Sequence, residues 1–134
     1  MSVPKNKRGD SNMEFIANAR KLQIYTVQRC THFPKRYTFY IGQPIAQIGT
    51  RIYEFVKLAN SIYPSNQHEA QIRRDYLIRA RAECNNLISQ IEVASEMFAI
   101  NPQTVMQWSG IVDEEIKLIS GVMRTDKDRL KNLN

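Results

Sequence analysis

Cysteine is scarce in this 134-residue chain, with Cys30 and Cys84 alone and no C-x-x-C between them. A disulfide scaffold or a zinc ribbon needs more, so both thiols are expected to be free in a reducing cytoplasm. Histidine is as thin. His32 and His68 are far apart, and neither sits in a Glu-x-x-His pair, whose i, i+3 spacing would set two ligands on one helix face for a di-iron site. No metal or other cofactor is expected. The chain also lacks a G-x-x-x-x-G-K-[ST] phosphate loop and a G-x-S-x-G elbow. Cys30 on an apolar stripe reads as a small core hydrophobe rather than a nucleophile, so a non-enzyme is expected.

Long apolar runs are missing too. The charge-free stretches Tyr37 to Thr50 and Met97 to Val112 carry Gln, Asn, Pro or Gly and fall short of the roughly 20 apolar residues a spanning helix needs. The opening MSVPKNKRGDSN has no apolar core behind it, so neither a secretory signal nor a membrane association is expected, and a cytoplasmic protein is.

What is present is enough apolar material, 43% of residues, for one domain with one core. Basic residues outnumber acidic ones 19 to 13, a net charge of +6 that favours acidic partners such as nucleic acid. Residues 1–11 hold Lys5, Lys7 and Arg8 with little that is apolar, and read as a flexible basic arm. Ser11 and Glu14 then stand at capping-box spacing, where helix one is expected to start. Phe15, Ala19, Leu22, Thr26, Cys30 and Phe33 form its stripe, and Pro34 closes it.

A second periodic segment runs from about Tyr37 to Tyr63, with Ile41, Ile45, Ile48, Ile52, Phe55, Val56, Ala59 and Ile62 on one side. Pro44 inside it predicts either a kink near Tyr40 or a helix that starts at Gln43. Pro64, Ser65 and Asn66 predict a turn, and a third helix is expected over roughly Gln67 to Phe98. Asn101 as cap and Pro102 at the first position open a fourth, which carries Val105, Trp108, Val112, Ile116, Ile119 and Met123 and gives way near Thr125. The expected domain plan is a basic arm over 1–11, a bundle over 12–124 and a mixed-charge tail over 125–134. The fold class this predicts is all-α, an antiparallel up-down four-helix bundle.

Charge is uneven along the chain. Residues 1–36 carry +6, residues 37–81 +3, residues 82–123 −5 and the last eleven +2. An up-down bundle brings the first, second and last of the positive regions to one end, with Lys127, Arg129 and Lys131 of the tail beside them. The nucleic-acid-binding candidates there are Lys5, Lys7, Arg8, Arg20, Lys21, Arg73, Arg74 and Arg79. Binding is expected to be dominated by phosphate contacts, since no recognition helix and no sheet of stacking aromatics is in view.

Two charges interrupt apolar stripes: Arg73 on helix three, among Tyr76, Leu77 and Ala80, and Glu115 on helix four, among Trp108, Ile111, Val112 and Ile119. Each must be paired, at a bundle end, or on a face that meets another subunit, and their separation along the bundle argues against a mutual pair. Helix four is also apolar beyond one stripe. Trp108, Ile111, Glu115, Leu118 and Val122 are therefore the expected face of a closed homo-oligomer.

The amphipathic first helix, the junction Phe33-Pro34-Lys35-Arg36-Tyr37 and the helix closing in Ala59-Asn60-Ser61-Ile62-Tyr63-Pro64 resemble the four-helix-bundle family that includes the accessory variability determinant (Avd) of diversity-generating retroelements. Arg73-Arg74-Asp75-Tyr76-Leu77 and the stretches 88–94 and 108–117 continue the resemblance over roughly residues 12–123. Proteins encoded in intervening sequences of bacterial ribosomal RNA genes belong to the same broad family. The resemblance implies a pentameric barrel of bundles, a basic surface for template RNA or its cDNA, a reverse transcriptase as partner, and no catalytic residues. The basic arm and mixed-charge tail depart from the family pattern.

A different class of function is a structural bundle of a mobile element or phage, with charge serving solubility alone. A third, an RNA-cleaving helical domain using His32 or His68, fits poorly, because Arg29 lies only three residues before His32 and His68 has no arginine at the needed spacing.

Overall fold

The computed structural model describes residues 5–134, with side chains described from Met13 onward. Four long helices make up the fold: α1 (Lys5–Cys30), α2 (Gln43–Asn60), α3 (Gln67–Met97) and α4 (Pro102–Arg129). No strand occurs among the described residues. A 3-10 turn (Lys35–Tyr37) and a π-helical turn (Thr38–Gly42) lead into α2. No helix is long and apolar enough to cross a membrane among the described residues.

Helix α1 begins at Lys5 rather than at the Ser11–Glu14 capping box. Once a helix has nucleated, each further residue costs little, so a weak former such as Gly9 need not stop it. Residues 1–4 of the expected arm lie outside the described residues, as do the side chains of Lys5, Lys7 and Arg8.

Of the two consequences expected of Pro44, the helix start at Gln43 is the one observed. Pro44 has no N–H to give to the carbonyl of Tyr40, and the chain responds by widening its turn: the Gln43 N–H donates instead to the carbonyl of Thr38, five residues back. Helix α3 is opened by Asn66, whose side chain accepts from the Glu69 N–H at 2.8 Å. The Glu69 carboxylate returns the interaction, accepting from the Ser65 N–H and hydroxyl, both at 2.8 Å. Asn101 caps α4 through the Gln103 N–H at 2.9 Å, as the Asn-Pro pair predicts. Helix α4 runs past Thr125 to Arg129, because Leu130 still finds a buried place at its end.

The apolar stripes converge on one core. Phe15, Leu22, Ile45, Ile52, Leu77, Leu87, Ile91, Trp108 and Ile119 are all fully buried within it. Packed pairs run in opposite order along neighbouring helices. Asn18 and Tyr25 of α1 meet Ile111 and Thr104 of α4; Arg51 and Ala59 of α2 meet Glu83 and Arg73 of α3; Arg73 and Arg81 of α3 meet Asp126 and Ser120 of α4. Gly49 lets α1 and α2 approach: a Cβ there would lie 3.2 Å from the Thr26 side chain. Thr26 is itself buried and accepts from the Trp108 indole N–H at 3.0 Å, so the core's one hydroxyl and one indole satisfy each other.

Candidate nucleic-acid interface

The first turn of α3 and the last turns of α4 are stitched together. The Gln67 side-chain amide donates to the carbonyls of Leu130 at 2.7 Å and Leu133 at 3.1 Å, and its backbone N–H donates to the Asn134 carbonyl at 2.9 Å. These bonds tie the residues that follow α4 to the start of α3. Beneath them lies Arg73, 8% exposed. Its Nε donates to Asp126 Oδ2 at 2.6 Å, its Nη2 to Oδ1 at 3.4 Å, and its Nη1 to the Ala59 carbonyl at 2.9 Å. A guanidinium fork suits this task because it spans a carboxylate and the C-terminal carbonyls of α2 at once. Arg73 is therefore a cross-link between α2, α3 and α4, and its assignment as a nucleic-acid contact is corrected: its donors are turned inward.

Its neighbour Arg74 faces the other way. With Lys127 and Lys131 it rims a groove of about 500 Å³ whose apolar lining includes Ala70, Leu77, Met123 and Leu130. All three cations are exposed. Asp126 also lines the groove, but it already holds Arg73 and accepts from Arg129 at 3.1 Å. None of the three rim cations forms an ion pair among the described residues. The groove thus presents positive charge toward solvent over an apolar floor, the arrangement that favours an anionic ligand.

The other expected contacts are dispersed. Arg20 is exposed and lies over the Tyr53 ring, 6.0 Å from its centroid, on the α1–α2 side. Lys21 and Arg79 are exposed, and neither lines the groove. Lys127 and Lys131, which the selection of binding residues leaves out, do. Their four-residue spacing is the available signal, and it becomes informative only if α4 continues past Thr125.

The residues of the expected oligomer face divide into two groups. Trp108, Ile111 and Glu115 are buried in the chain's own core, while Leu118 and Val122 are half-buried. Glu115 finds its partner inside the chain: Asn18 Nδ2 donates to Oε1 at 3.0 Å and to the Ile111 carbonyl at 3.2 Å. Its Oε2 is buried with no partner. Burial in the core raises its pKa to about 8, against the smaller opposing effect of the Asn18 hydrogen bond. Arg73 is thus paired within the chain, and Glu115 is held there through one oxygen.

Burial likewise pushes the Cys30 thiol up to about 12 and raises that of Cys84, where the Glu115 and Glu83 carboxylates add to the effect. Neither is a ready thiolate. His32 is exposed, its Nδ1 2.8 Å from the Gln28 carbonyl, and His68 is exposed in the first turn of α3. No group of three or more His, Cys, Asp or Glu side chains suited to a metal occurs among the described residues.

Against this geometry, comparison with family models, curated proteins and solved structures finds no match.

Proposed function

We propose that the chain is a non-catalytic accessory protein that binds RNA or DNA through phosphate contacts and works beside a reverse transcriptase, as members of the Avd-like family do. The observation that carries the nucleic-acid reading is the groove at the α3–α4 end, with Arg74, Lys127 and Lys131 on its rim and its acid, Asp126, already committed to Arg73. Arginine and lysine at such a rim bind phosphate without reading bases, so little sequence preference is expected. The reversed order of packed pairs supports the antiparallel up-down topology that the family resemblance implies. The pentameric barrel rests on the resemblance and on apolar surface left outside the core. Half-buried Leu118 and Val122 on α4 and exposed Ile24 and Val27 on α1 are the residues it would cover. A cytoplasmic setting fits two free, buried thiols.

Fluorescence polarisation with labelled RNA, single-stranded DNA and duplex DNA across a salt series tests the reading. Binding should weaken steeply, with a log–log slope that reports the phosphates neutralised. No binding, or an affinity indifferent to salt, would favour a purely structural bundle instead. Co-purification with a reverse transcriptase encoded beside the gene tests the second part.

A further inference from the structure

The end of the bundle opposite the groove carries two of the most exposed large apolar side chains of the described residues. Phe39 is 70% exposed and Tyr40 74%, adjacent on the π-helical turn, with ring centroids 5.2 Å apart at 89°. An isolated exposed apolar residue needs no explanation, but two neighbouring aromatics held out together from a non-regular turn do. The turn is firmly mounted. Tyr37 stacks on Phe98 at 5.1 Å, Phe98 meets Phe33 edge-on at 4.8 Å, and Phe33 reaches Trp108 at 6.4 Å in the core. The same ladder fixes a cation, since the Arg36 guanidinium lies 5.1 Å from the Tyr37 ring centroid, and exposed Lys35 is next to it.

Charge selects the occupant. No Asp or Glu occurs between Glu14 and Glu54, a stretch that holds Arg20, Lys21, Arg29, Lys35, Arg36 and Arg51 and includes this turn. Exposed rings on a segment that carries cations and no acids match a polyanion that also has flat apolar faces. Single-stranded nucleic acid has both, whereas a duplex hides its base faces. We propose that Phe39 and Tyr40 form a stacking platform for the bases of single-stranded RNA or DNA, with Lys35 and Arg36 reaching the adjoining phosphates. This deepens the nucleic-acid reading and rests on it: the groove holds phosphates of any form, and the turn selects unpaired strands. Exposed Glu92 and Glu96 on the last turns of α3 keep this end from being a general polyanion patch, so affinity here comes from stacking more than from charge.

The test measures wild type, Phe39→Ala/Tyr40→Ala and Arg74→Glu/Lys131→Glu against a single strand of about 15 nucleotides and a duplex of equal length. Helix content and sedimentation are followed in parallel. Removing both rings should weaken single-strand binding about tenfold or more while leaving duplex affinity, salt slope and oligomer size unchanged. The groove variant should lose both ligands. Unchanged single-strand binding, or equal loss on both ligands, would overturn the platform. A change in oligomer size would do so too, because the rings would then cover another copy. Wild type that binds only duplex refutes the platform and spares the groove; wild type that binds neither refutes both.

Discussion

Arg73 and Glu115 are the two charges that interrupt the apolar stripes of α3 and α4, both are buried, and the chain treats them differently. Arg73 lies where α2 ends and α4 nears its own end, so a carboxylate and a C-terminal carbonyl of α2 are within reach of one fork. Glu115 lies deeper along α4, beside Asn18 of the mid-part of α1 and near the Cys84 thiol. One of its oxygens is held and the other is not. Depth in the bundle decides the outcome. Near a helix end the backbone supplies acceptors for a cation, while in mid-bundle the ladder has used its N–H groups and an anion finds few donors.

The sharpest way to break this contrast is to remove Arg73. Arg73→Ala should cost about 3–5 kcal/mol in urea unfolding, because Asp126 is left poorly paired and the tie between α2, α3 and α4 is lost. Arg73→Ala combined with Asp126→Ala should recover part of that loss. If the single substitution costs under about 1 kcal/mol, the pair is ornamental.

Glu115 should reveal itself through pH. Its folded pKa of about 8 lies above the ordinary 4.5, so the folded state binds its proton more tightly than the unfolded chain does. Its contribution is fully present below pH 4.5 and falls as pH rises toward 8, by about 1.4 kcal/mol per unit within that window. Glu115→Gln should flatten this dependence, which a series of urea melts at stepped pH would measure. An unchanged slope would mean that the carboxylate is ionised in the fold.

Thr26 and Trp108 give the neutral version of the same rule. Thr26→Val keeps the shape but leaves the buried indole N–H without its acceptor, and should cost about 1–3 kcal/mol in thermal or urea melts. A neutral result would show that the indole finds another acceptor.

Much of the fold is legible in the sequence because it rests on local rules. The stripes of α1 to α4, the Asn-Pro start of α4 and the disturbance at Pro44 all follow from spacing within a few turns. What depends on distant residues is not legible. Arg73 stands out as an anomaly, yet its partner Asp126 is 53 residues away and on another helix. Glu115 points as readily to a subunit interface as to Asn18, 97 residues earlier. The groove cations Lys127 and Lys131 gain their meaning only from the extra turn of α4, which depends on Leu130 finding a buried place. Phe39 and Tyr40 are hidden by the periodic pattern of the Tyr37–Tyr63 segment, because the widened turn before Pro44 shifts the helical phase.

Duplex binding by paired charge reversals tests the functional account most directly. Arg74→Glu/Lys127→Glu should abolish measurable affinity, or reduce the salt slope by roughly two if residual binding survives, with helix content and oligomer size intact. Lys35→Glu/Arg36→Glu, at the opposite end, should weaken duplex binding far less. If the second pair proves the more damaging on duplex, the groove at the α3–α4 end is not the nucleic-acid interface.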